Sequence, residues 1–169
     1  MYAVNDIPLI DINQSATGCC TLISPDEWDG QTLTFKDKLF AKTHTRSIFH
    51  IPLDMHRVMK DAQAKIEAAG AATPQWLILS REASAWHADH YFAVAKDVPG
   101  LESAQISGTF VTKVFEGPYQ DARKWHEELT KYATSLGNTP TAIYFFYTTC
   151  PKCAKIYGKN YVIGFAQIK

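Results

Sequence analysis

No run in this 169-residue sequence approaches the roughly 18 consecutive apolar residues that a membrane-spanning helix needs. Neither sign of charge prevails: 17 basic residues balance 17 acidic ones, and no basic patch or tail stands out. Neither a membrane nor a nucleic-acid partner is therefore expected. The opening stretch, MYAVNDIPLIDINQ, carries acids and lacks a long apolar centre, so no secretion signal is expected there. The expected location is cytoplasmic. Cysteine is scarce, at four residues. In a reducing compartment such residues serve as ligands, nucleophiles or core more often than as disulfides. A phosphate-cradling glycine loop and a nucleophile elbow are both missing, which removes the commonest nucleotide-enzyme and serine-hydrolase readings.

What is present is globular. Hydrophobic residues make up 46% and charged residues 20%, and the length suits one domain with a real core. Residues 1–38 read as an irregular extension packed on the domain that follows. SPDEWDG in it is turn-forming, and CCTLI could form a short strand.

From Leu39 a pattern runs twice, over about 39–97 and 108–169. Each pass gives a strand, a helix ended by glycine (Gly70, Gly137), a Thr-Pro step (Thr73-Pro74, Thr139-Pro140), a short apolar strand and a second strand near a tyrosine. Met55, Val58, Met59, Ala62, Ile66 and Ala69 line one face of the first helix. Ala122, Trp125, Leu129, Tyr132, Ala133 and Leu136 line one face of the second. The expected fold is α+β: two pseudo-symmetric strand-helix-strand-strand repeats forming one antiparallel sheet with both helices on one face.

The doubled unit, the FEGPY turn between strand and helix and the KNYVIGFAQI terminal strand resemble the gyrase-inhibitor-like (GyrI-like) small-molecule-binding family, over residues 39–169. The resemblance implies a pocket between the repeats, lined by aromatics around a central carboxylate, and a small organic ligand. Members of that family form the ligand-binding half of multidrug-responsive transcription regulators, and some stand-alone members hydrolyse strained cyclopropane rings, so the resemblance implies either turnover or ligand sensing alone. The last strand, where regulator members carry the acid, has none here. That shifts the role to Glu116 of FEGPY or Glu82 of SREAS.

Glu116 closes an apolar strand and precedes a helix, a position suited to general acid–base work or to countering charge on a ligand. Tyr119 and Tyr147 are the hydroxyls expected to position a reacting group beside it. Trp76, Trp86, His90, Tyr144 and Tyr161 are the expected ligand contacts, since aromatic rings with one polar group suit a pocket with few placed hydrogen bonds. Trp86 stands out because AWHADHY is a polar connection.

Cys150-Pro-Lys-Cys153 follows a strand, as in thioredoxin-like sites. However, only the 16 residues after Cys153 remain, so a helix starting at the first cysteine is not expected and the motif reads as the connection of the terminal hairpin. Two alternatives to pocket chemistry follow from it. One is a zinc site in which Cys150 and Cys153 form half of a knuckle completed by Cys20 and a histidine, because adjacent cysteines seldom share one ion. The other is a thiol-redox centre favoured by Lys152 and Lys155.

Overall fold

The structure, a computed structural model, describes residues 2–11 and 15–169. Residue 1 and residues 12–14 of the expected extension lie outside that set. After a one-turn helix α1 (Pro25–Trp28), strand β1 runs over Thr32–Ile48. It begins inside the stretch expected to be irregular, while CCTLI forms no strand. The TLTFK start of β1 shows why: Leu33 and Phe35 are buried while Thr32, Thr34 and Lys36 are exposed, the two-residue period of a half-buried strand.

A two-residue loop, Phe49–His50, joins β1 to the short β2 (Ile51–Pro52). Helix α2 (Met55–Ala68), β3 (Ile78–Glu82), β4 (His87–Ala93) and the long β5 (Glu102–Glu116) follow. A 3-10 turn at Tyr119–Asp121 leads into α3 (Ala122–Ser135), then β6 (Ala142–Tyr147), α4 (Pro151–Tyr157) and β7 (Tyr161–Ile168).

The expected open sheet with both helices on one face is not what forms. The strand order is β2-β1-β4-β3-β6-β7-β5, and β1 pairs again with β5. Six strands therefore close on themselves as an antiparallel barrel, with β2 as an added strand and four α-helices among the described residues. The cause lies in strand length. β1 has 17 residues and β5 has 15, enough for each to hydrogen-bond with more than one neighbour. Each pass read separately shows only a short strand at these places. Closure satisfies backbone groups that an open sheet would leave along two edges.

The chain divides into two compact units. One is Lys36–Ser107; the other joins Gly108–Lys169 to the N-terminal residues up to Phe35. In the first, Ala62 and Ile66 of α2 pack with Ala41, Ala71, Phe92, Val94 and Val98. Gly70, at φ +62°, ends the helix in a conformation other residues resist. In the second, Trp125, Leu129 and Ala133 recur every four residues along α3 and meet Val111, Phe115, Phe145, Val162 and Ala166. The Trp125 ring stacks on Phe115 at 5.7 Å, and Gly164 lets α3 approach β7, because a Cβ there would lie 2.7 Å from Leu129.

Trp28 is 1% exposed and meets Phe146 and Phe165 edge-on. Its carbonyl accepts a hydrogen bond from the Thr112 hydroxyl. The turn-forming SPDEWDG thus carries a core anchor. No helix among the described residues is long and apolar enough to cross a membrane.

Candidate functional site

β5 ends at Glu116, in register with Tyr161 of β7. The chain then makes the Gly117-Pro118 corner into the 3-10 turn. Asn160, just before β7, holds that corner. Its backbone carbonyl accepts from Gly117 N–H at 3.2 Å, and its amide Nδ2 donates to the Gly117 carbonyl at 2.7 Å. Its amide oxygen accepts from the Thr149 hydroxyl at 2.8 Å. A buried side chain with these bonds fixes the backbone on both sides of the corner.

The result is an open cleft of about 310 Å³ bounded by Glu116, Tyr119, Gln120, Pro151, Ala154 and Lys159, with the Gly117-Pro118 corner and Asn160 behind them. The Glu116 side chain is exposed rather than buried, contrary to the half-buried central acid that the resemblance implies. An exposed lysine, Lys159, shares the lining with it. The Tyr119 hydroxyl donates to the Thr149 carbonyl, and its ring lies 5.7 Å from Tyr147. Burial raises the Tyr119 hydroxyl above its ordinary pKa, against the opposing pull of the bond to Thr149. Tyr119 is thus a neutral phenol whose one hydrogen is given to Thr149, so its oxygen can meet a ligand only as an acceptor. Tyr147 packs against the core beneath and does not line the cleft. Asn160 is a contributor that sequence reading passed over; its only signal is an asparagine directly before the last strand.

The five expected ligand contacts do not line this cleft. Tyr144 is buried beside Phe110, and Tyr161 is half-buried on β7. Trp76, Trp86 and His90 belong to the other unit. Trp86 is 56% exposed and lies 5.2 Å from the ring of Phe49. His90 is 1% exposed, with Nδ1 2.7 Å from the Ser80 hydroxyl and Nε2 2.9 Å from that of Thr45. Burial lowers its pKa to about 4, against the charges of Asp89 and Asp54. The imidazole is therefore neutral and fully engaged. Glu82 is exposed and contacts His50.

The cysteines differ most from expectation. Cys150 is the N-cap of α4, Pro151 takes the first helical position, and Gly158 at φ +67° ends the helix. The motif therefore starts a helix rather than forming a hairpin turn. All four Sγ atoms lie within 4.8 Å of one another, with Cys19 as well as Cys20 in the group and no histidine. Cys19 Sγ lies 3.6 Å from that of Cys20 and 3.9 Å from that of Cys150. The thiols are free. Burial pushes Cys20 well up, while for Cys153 it is outweighed by hydrogen bonds from Thr17 and the neighbouring thiols, which bring that group down to about 7.

The family described as Bacterial hydrolase matches residues 10–168. No curated protein matches the chain. Among solved structures, a hydrolase from Listeria innocua aligns with a TM-score of 0.58 at 11% identity, over 84% of this chain and 92% of its own. An uncharacterized conserved protein from the same organism aligns with a TM-score of 0.60 at 10% identity, over 84% and 93%. At such identities the likeness bears on the fold alone.

Proposed function

The chain belongs to the bacterial hydrolase family, and on that premise we propose that it is a cytoplasmic, GyrI-like small-molecule hydrolase whose working site is the Glu116 cleft. The observation that carries this reading is the Asn160 bracket. It fixes a corner that offers a carboxylate, a phenol and a cation around one small cleft. That arrangement is preorganised for a small electrophile.

In this reading Glu116 takes a proton from water as the water oxygen bonds to the electrophilic carbon. The bond to the leaving group breaks, and the leaving group receives a proton from the cleft or from solvent. Tyr119 orients the substrate through the lone pair its hydroxyl retains, and Tyr147 supports the Tyr119 ring. The substrate class is a small, partly apolar organic electrophile such as a strained ring. Four closely spaced free thiols are consistent with a reducing location.

The test is a panel of electrophilic small molecules, with loss of compound followed by chromatography. Glu116→Gln should lower the rate of the best substrate by about 10²–10⁴-fold while the far-ultraviolet spectrum stays unchanged. Retention of full turnover by Glu116→Gln would sink the assignment. Saturable binding without any turnover would favour a ligand-sensing protein instead.

A further inference from the structure

We propose that Cys19, Cys20, Cys150 and Cys153 bind one divalent thiophilic metal ion, zinc foremost, as a clasp between residues 15–20 and α4. Four sulfurs around a zinc ion at about 2.3 Å sit at tetrahedral corners roughly 3.8 Å apart. The separations here are 3.6 Å for Cys19–Cys20 and 3.9 Å for Cys19–Cys150, with every pair inside 4.8 Å. A disulfide would need about 2.05 Å, so the group is spaced for an ion and not for a bond.

The surroundings suit thiolates. The Cys150 N–H points at Cys20 Sγ at 3.4 Å, and the Cys153 N–H points at Cys150 Sγ at 3.5 Å. The Thr17 hydroxyl lies 3.2 Å from Cys153 Sγ. These are outer-shell contacts of the kind that orient ligands and offset the negative charge of a four-thiolate site. The backbone is pinned independently: Ser15 Oγ at 2.7 Å and the Tyr157 hydroxyl both donate to the Cys20 carbonyl. An all-sulfur donor set selects zinc or iron over magnesium or calcium. With four protein ligands and no open position, the site is structural rather than catalytic. On loading, each thiol loses its proton to solvent as its sulfur takes the ion. Because α4 also gives Pro151 and Ala154 to the cleft, the clasp steadies one cleft wall.

The experiment uses the whole chain, purified without chelator, with elemental analysis and thiol titration on one sample, then replacement by cobalt(II). About one zinc per chain is expected, with thiols masked until chelator is added. The cobalt form should show strong sulfur-to-metal charge transfer and the visible bands of a four-coordinate site. Cys19→Ser, at an exposed position, should weaken cobalt binding by more than about a hundredfold, beyond the cost of losing an outer-shell partner. Removing the ion should lower the thermal midpoint of the wild type, and zinc should restore it. The proposal is overturned by any of three results: four freely reacting thiols that take up neither zinc nor cobalt, a Cys150–Cys153 disulfide in fresh protein, or unchanged cobalt affinity in Cys19→Ser.

Discussion

The unit spanning Lys36–Ser107 buries a polar centre as well as its apolar core, and leaves several large apolar side chains exposed. His90 is enclosed between Ser80 and Thr45, while Phe49, Ile51, Leu53 and Trp86 are all more than half exposed. The unit containing Gly108–Lys169 differs in where its polar groups lie. Trp28, Phe110, Phe146 and Phe165 are buried, Glu116 and Cys19 are exposed, and Cys20 and Cys153 are buried thiols. Both units pack one long helix against their own strands. What the second adds is α4 and the N-terminal segment, which bring the four cysteines together.

Removing one tryptophan from each unit should separate the two most strongly. Trp28→Ala should cost about 3–5 kcal/mol in urea unfolding, because the indole fills space between Phe146 and Phe165. Trp86→Ala should cost under about 1 kcal/mol, since it gives up only an exposed stack. Similar losses would mean that the exposed cluster is structural after all.

The buried histidine supplies a second contrast, in pH. Its folded pKa of about 4 lies below the ordinary 6.5, so between those values the unfolded chain binds the extra proton. Its contribution is complete above about pH 6.5 and is lost as pH falls towards 4, by about 3 kcal/mol in all. Acid unfolding of His90→Gln should be flatter than wild type across that window. An identical slope would show that other groups control the acid limb.

The smallest expected effect lies in the β1–β2 loop. Phe49 and His50 occupy left-handed conformations at φ +45° and +69°, which asparagine and glycine adopt at less cost. Phe49→Asn with His50→Gly should stabilise by about 0.5–1 kcal/mol in the same urea assay. A loss instead would indicate that the Phe49–Trp86 and His50–Glu82 contacts outweigh the strain relieved.

Local signals served the sequence reading well wherever structure was local. Gly70 and Gly137 end the two long helices, and the residues these helices bury, Ala62 and Ile66 on one and Trp125, Leu129 and Ala133 on the other, lie on the expected faces, although Leu136 at the end of the second is 50% exposed. Barrel closure could not be read this way, because β1 finds β5 across some 70 residues and no local period encodes that pairing. Helix α4 was legible in principle, since Pro151 at its start and Gly158 past its end are the usual asymmetry, but the short stretch after Cys153 points to a hairpin connection instead. Of the site, FEGPY marked the Glu116 corner. Asn160 and Cys19 act through partners distant in the chain, so neither could be assigned from its neighbours.

Closure has a further consequence for the chain's solubility. AIYFFY and YVIGFAQI combine strong strand preference with no charge and no proline, the composition from which amyloid spines are built. In the native ring each of these strands has a hydrogen-bonded neighbour on both sides, so neither offers a free edge to another molecule. The hazard is confined to whatever fraction of the chain is open at a given moment, and protection from fibrils becomes a matter of how seldom the ring unzips.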